Sequence, residues 1–209
     1  MSGMPQWIWY AAYGSNMAVE RLRCYVQGGQ AAGGVRTYPG CRERGMPGAA
    51  RGVELPGRLY FAGVSGQWGG GMGFYEAGAG VVPARAYRVT VGQFSDIVAQ
   101  EMYRAPGADL DLATVLATGR DELGPGRYET LLLVGEVDGE PMLTFTASWS
   151  PAEAPLNAPA EAYLRQLAAG LAEAHGWDTE RIAAYLASRP GAAGHWSAAS
   201  VAELLARTA

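Results

Sequence analysis

Reactive and metal-binding side chains are scarce: two cysteines and two histidines in 209 residues. Cys24 and Cys41 stand far apart, with no CxxC pair and no other ligand spacing, which speaks against structural zinc or a thiol redox motif and leaves two reduced thiols. His175 and His195 fall in the C-terminal part, and GSNM around Ser15 is not the GxSxG elbow, so a serine triad is not expected. The same shortage of ligands argues against a catalytic metal. A basic excess is missing too: the formal net charge is -4 and the arginines are scattered among acids, so nucleic acid is not an expected partner, while a small anionic ligand stays open. No apolar run approaches the roughly 18 residues of a membrane span, and MSGMPQW has no basic stretch; neither membrane segment nor secretory leader is expected, and the cytoplasm is the expected compartment. The stretch GGGMG at 69–73 fits neither GxGxxG nor a Walker loop, so it reads as a flexible hairpin and not a phosphate cradle.

What is present suits a folded body. Apolar residues make up 49%, enough for one sizeable core, while 30 glycines imply many turns. The run WIWYAA at 7–12 predicts a buried strand, broken abruptly by YGSNM at 13–17. Val19, Leu22 and Val26 then follow at helical spacing, with Ser15 or Asn16 available as N-cap and Gly28 as the stop. Residues 31–57 read as a long loop whose Arg36, Arg42, Arg44 and Arg51 lie on a solvated surface or draw in an anion. Short strands are predicted at 58–62, 73–75, 85–90, 127–134 and 142–147, a pattern that suggests a small barrel or curled sheet. Beyond Trp149 the composition turns to Ala, Leu and Glu, and 160–174, 178–188 and 197–207 predict three helices, with Asp178 and Ser197 as caps. The predicted organisation is a β-rich domain over 1–150 carrying the function, with a helical extension over 151–209 packed on it. No internal repeat is present.

The segment TVGQFSDIVAQEMYR at 90–104 adds chemistry. Thr90 and Gln93 have capping-box spacing, so a helix starts there despite Gly92. Counting about 100° per residue from Phe94, the apolar arc of Ile97, Val98 and Met102 centres near zero, and Glu101 falls inside it at about 340°. Asp96 and Gln100 fall outside. An inward glutamate must be paired, hydrogen-bonded or protonated, and burial raises its pKa toward the range of a general acid/base. An ion pair with Arg104, or a frayed helix end that lets Glu101 reach water, accounts for the pattern equally well.

YGSNM after a strand and before a helix, QEMYR with Glu101, and GRYETLLLV with Gly126 and Tyr128 together resemble the γ-glutamylcyclotransferase-like family, over roughly residues 8–165. Departures are Met17 where leucine is usual, a long stretch between Glu101 and Tyr128, and Phe145 where some relatives have a pocket tyrosine. The resemblance implies an α+β fold, a small mixed β-barrel with surrounding helices, and a cofactor-independent enzyme. Its substrate would be a small-molecule γ-glutamyl amine or peptide, cyclised to 5-oxoproline with release of the amine. It implies Glu101 as the general acid/base, backbone N–H groups of the turn binding an oxyanion, Ser15 and Asn16 holding that turn, Gly14 permitting close approach, Tyr13 and Met17 lining the wall, and Tyr128 positioning the substrate. An amide-cleaving or acyl-transferring enzyme of the same fold and a non-catalytic metabolite-binding module remain alternatives. A partner-binding role for the helical tail is set against packing on the body, and the oligomeric state is unreadable.

Overall fold

The computed structural model describes residues 5–207. Strand β1 (Trp7–Ala12) is buried along nearly its whole length and lies in the middle of a six-stranded sheet. Aromatic and β-branched side chains suit a strand covered on both faces, as here. A 3₁₀ turn over Ser15–Met17 leads into α1 (Val19–Gln27), which stops at Gly28 with φ 86°. Two short strands, β2 (Gly29–Gln30) and β3 (Thr37–Tyr38), form a separate ribbon. The long strands β4 (Ala50–Ala62) and β5 (Met72–Thr90) run antiparallel, with a register shift at Pro56/Gly57. Helices α2 (Val91–Glu101) and α3 (Ala113–Thr118) follow, then β6 (Arg120–Glu122), β7 (Thr130–Val137) and β8 (Glu140–Thr146). The sheet order is β4-β5-β1-β8-β7-β6, with β1 parallel to β8 and antiparallel to β5.

The sheet curls without closing: β4 and β6 are its two edges. Beyond the bulge, the first half of β5 bends back over β8, where Thr146 Oγ1 accepts from the Tyr75 N–H at 3.1 Å and donates to the Tyr75 carbonyl at 2.7 Å. This side-chain bridge stands where ladder hydrogen bonds would complete a barrel. The fold class is therefore the expected α+β, with a curled sheet as its barrel-like part.

Several local expectations need correction. The predicted strands at 73–75 and 85–90 are one strand, β5, and the predicted loop over 31–57 contains β3 and the start of β4. The glycines of EAGAGVVPAR look like loop, and Gly78 and Gly80 do adopt positive φ in a bulge that pairs with nothing on β4, yet pairing on both sides of it, up to Ala77 and again from Val81, makes one strand. Ser15 and Asn16 do not cap α1; Ala18 is the N-cap, with no side-chain bond, and Ser15 and Asn16 belong to the preceding turn. In contrast, Thr90 and Gln93 form the expected capping box.

Helices α4 (Glu161–His175), α5 (Thr179–Ala187) and α6 (Ala198–Ala206) occur where the composition shifts, with Asp178 and Ser197 as caps. Their apolar faces join the main core through Tyr163, Leu164, Leu167, Leu171, Leu186 and Val201. Burial of this kind contributes about 1.5–3 kcal/mol per large side chain, which is why the helices pack on the body. Gly170 lets α4 approach the turn: a Cβ there would lie 2.4 Å from the Met17 Cβ. No helix among the described residues is long and apolar enough to cross a membrane.

Candidate active site

The break after β1 is one wall of a cavity. Tyr13, Gly14, Ser15 and Asn16 line it from the turn, Tyr10 and Phe145 from the sheet, Arg21 and Tyr25 from α1, and Glu101 from the last position of α2. Tyr128 and Tyr163 complete it from β7's approach and from α4. The cavity holds about 60 Å³. At roughly 10–15 Å³ per water-sized probe on this measure, that is room for a slender chain of a few heavy atoms.

The carboxyl of Glu101 and the turn meet directly: Asn16 Nδ2 lies 3.4 Å from Glu101 Oε1 and 3.3 Å from the Tyr10 hydroxyl. Burial pushes the Glu101 pKa above its ordinary value, while the charges of Arg21, Arg127 and Arg36 pull it back. The alternative pair with Arg104 does not form, because Arg104 is bonded to Glu129. The two neighbours that the helical count puts outside the apolar arc are nevertheless not solvent-facing. Asp96 and Gln100 are buried, since the segment around Cys41 covers the opposite face of α2. There Arg42 pairs with Asp96 at 2.9 Å, and Gln100 bonds the Tyr25 carbonyl and the Gly40 N–H.

The turn is held differently from expectation. Backbone bonds close it, from the Met17 N–H to the Gly14 carbonyl and from the Ala18 N–H to the Ser15 carbonyl, each 3.1 Å. No side-chain cap contributes, and the Asn16 amide is turned to Glu101 instead. Among the described residues the N–H groups of Ser15 and Asn16, at the uncapped start of the turn, take no protein acceptor. Gly14 does permit close approach: a Cβ there would meet the Tyr163 hydroxyl at 3.3 Å. Tyr13 donates to the Phe145 carbonyl at 2.8 Å, and Tyr128, at φ 57°, donates to the Gly73 carbonyl at 2.9 Å. Met17 is not brought to the cavity. It is 1% exposed, packed toward Gly170 of α4, and its carbonyl accepts from the Tyr87 hydroxyl.

Three parts of the site have no counterpart among the expectations. Arg21 is 2% exposed, and its Nη2 donates to the hydroxyls of Tyr25 and Tyr38 at 3.0 and 2.7 Å. Its Nε and Nη1 are buried with no partner, as is the Asn16 Oδ1. A cation four residues before Tyr25 on one face of a helix was a readable signal. Burial works against the Arg21 charge, but Tyr25, Tyr38 and Glu101 around it raise its pKa, so it stays protonated. The segment 63–73, of which only GGGMG at 69–73 reads as a flexible hairpin in the sequence, supplies Ser65, Gln67, Trp68, Met72 and Gly73 to the wall. Tyr163 joins it by accepting from the Gly73 N–H at 3.2 Å, so the site extends into the helical region. Of the four loop arginines, Arg42 and Arg51 make ion pairs, Arg44 bonds carbonyls, and Arg36 stacks on Tyr103 with its Cζ 3.5 Å from the ring centre.

No family model matches the chain. A curated protein, histone deacetylase 5 of Arabidopsis thaliana, is 31% identical over 198 residues, an alignment covering 86% of this chain. This chain spans about 30% of that protein's length. Among solved structures, an uncharacterized human protein superposes with a TM-score of 0.53 at 15% identity, covering 97% of this chain and 99% of the other. A γ-glutamyl cyclotransferase superposes with a TM-score of 0.52 at 14% identity, covering 96% and 99%. Identities this low speak for the fold: the chain has the γ-glutamyl cyclotransferase-like fold.

Proposed function

We propose that this chain, on that fold, is a γ-glutamylcyclotransferase-like enzyme that releases an amine from a γ-glutamyl substrate and forms 5-oxoproline. The observation that carries the reading is that Glu101 and the Tyr13–Asn16 turn share one narrow cavity, with Asn16 bridging to the carboxylate. The γ-glutamyl group is slender, and its α-amino-acid end carries one anion and one cation. Arg21, with two unpartnered donors, suits the carboxylate; the unpartnered Asn16 Oδ1 and Glu101 suit the amino group.

The reaction is an intramolecular aminolysis. The α-nitrogen attacks the γ-carbonyl carbon, a lactam C–N bond forms, and the original γ-amide C–N bond breaks. Glu101 takes a proton from the attacking nitrogen and hands one to the leaving amine, so one carboxylate serves as base and then as acid. Its raised pKa suits both halves. The Ser15 and Asn16 N–H groups would receive the developing oxyanion. Tyr10, Tyr13 and Tyr128 have pKa values raised by burial and stay protonated, walling the ring-closing conformer. Nothing in this scheme calls on a cofactor.

The test is to incubate wild type and Glu101→Gln with a γ-glutamyl amine library and to quantify 5-oxoproline by mass. Lactam formed by wild type and lost in the variant supports the assignment. Free glutamate or a transferred acyl group would move the site to amide cleavage or acyl transfer, and binding without turnover would make it a metabolite-binding module.

A further inference from the structure

Beside the narrow cavity lies a wide groove of about 590 Å³ that the proposed chemistry leaves unused. Its wall is mainly apolar: Met72, Phe74, Met102, Trp149 and Pro155. Three links join it to the reacting centre. Met72 belongs to both hollows, Met102 follows Glu101, and Arg127 precedes Tyr128. Building on the cyclotransferase reading, we infer that this groove receives the leaving half of the substrate, and that this half is an amino acid with a large apolar or aromatic side chain.

Size separates the two ends. The cavity admits a thin polar chain, whereas the groove falls in the range of pockets that enclose bulky ligands. A γ-glutamyl group in the first therefore puts the amide nitrogen's substituent in the second. Charge then narrows the class. The two acids on the groove are engaged, Glu129 by Arg104 and the Gly126 N–H, and Glu153 by Ser150. Arg127 makes only a contact to the Met72 sulfur at 3.5 Å and stacks on Tyr103, its Cζ 4.0 Å from the ring centre. Its donors are thus left for an anion close to the scissile amide, where the α-carboxylate of a leaving amino acid would lie. Turnover breaks the γ-amide C–N bond, passes the proton held by Glu101 to the departing nitrogen, and frees the amino acid beside 5-oxoproline.

The test compares γ-glutamyl-phenylalanine, γ-glutamyl-glycine and γ-glutamyl-phenethylamine by kcat/KM for 5-oxoproline release. The expected order places the phenylalanine derivative at least about tenfold above both others, since filling an apolar pocket and pairing a carboxylate each discriminate on that scale. Trp149→Ala should collapse the phenylalanine-to-glycine ratio toward one, and Arg127→Met the phenylalanine-to-phenethylamine ratio. Lactam release with all three substrates at equal rates overturns the groove assignment and leaves the cyclotransferase reading standing. Should no substrate yield lactam, the cyclotransferase reading fails. Calorimetric binding of the first two compounds then decides the groove: a phenylalanine preference lost in Trp149→Ala supports it, and equal affinities overturn it.

Discussion

At the scale of single residues, the behaviour of the site follows from the contrast between Glu101 and its surroundings. Its raised pKa means that the base form appears at higher pH than for an ordinary carboxylate, so the acid limb of kcat should be displaced upward, as a pH–rate profile will show. The same shift has a stability consequence of defined sign. The native state holds the proton more tightly than the unfolded chain does, so stability falls as pH rises through the interval between the two pKa values. Above that interval the ionised carboxylate is a cost to folding. Glu101→Gln should lower kcat at least about a hundredfold while Tm at pH 7 holds or rises; a large drop in Tm would show that the side chain is structural. Glu101 was legible because a capping box fixes the phase of α2 and an apolar arc surrounds residue 101. Arg21 is only half legible: helical spacing on α1 encodes its contact with Tyr25, but Tyr38 comes from β3, whose approach no periodicity encodes.

At the scale of elements, caps and close contacts carry separable contributions. The Asp178 carboxylate accepts from the Arg181 N–H at 2.8 Å at the start of α5. Asp178→Ala should cost about 1 kcal/mol, seen in thermal melts as a fall of a few degrees, with kcat unchanged because α5 stands away from the cavity. Tyr163→Phe acts otherwise. It strips the acceptor from the buried Gly73 N–H, which costs about 1–3 kcal/mol, and it loosens the 63–73 wall, so KM should rise as well. Strand and helix positions were legible wherever a composition change or a cap marked them, as at Thr90 and Ser197. They failed at 76–81, where exposed, glycine-rich residues bulge out of register at 78–80 and the strand continues only because β4 pairs on both sides of the bulge. The wall at 63–73 failed for a similar reason, since its shape depends on Ser65 accepting from the Gln67 and Trp68 N–H groups and on what docks behind it.

At the scale of the whole molecule, the C-terminal helices complete the body. Their side chains share its core, and Tyr163 is part of the cavity. A chain ending at Ser150 should therefore be insoluble or inactive; a soluble, active fragment would instead point to a separate interaction role for the helices. Gly170 marks the tightest junction. Gly170→Ala would force a methyl group against Met17, so it should destabilise by about 1–3 kcal/mol and raise KM, despite alanine's better helix propensity. The curled sheet could be anticipated from the run of short strands, but not that Thr146 would span its gap in place of a closing strand. The nearness of Gly170 to the bend after Tyr13 also sets an order of events in time: the bend is backed only once a segment far along the chain has docked on it. On refolding from denaturant, catalytic competence should emerge with the final kinetic phase, lagging the far-ultraviolet signal.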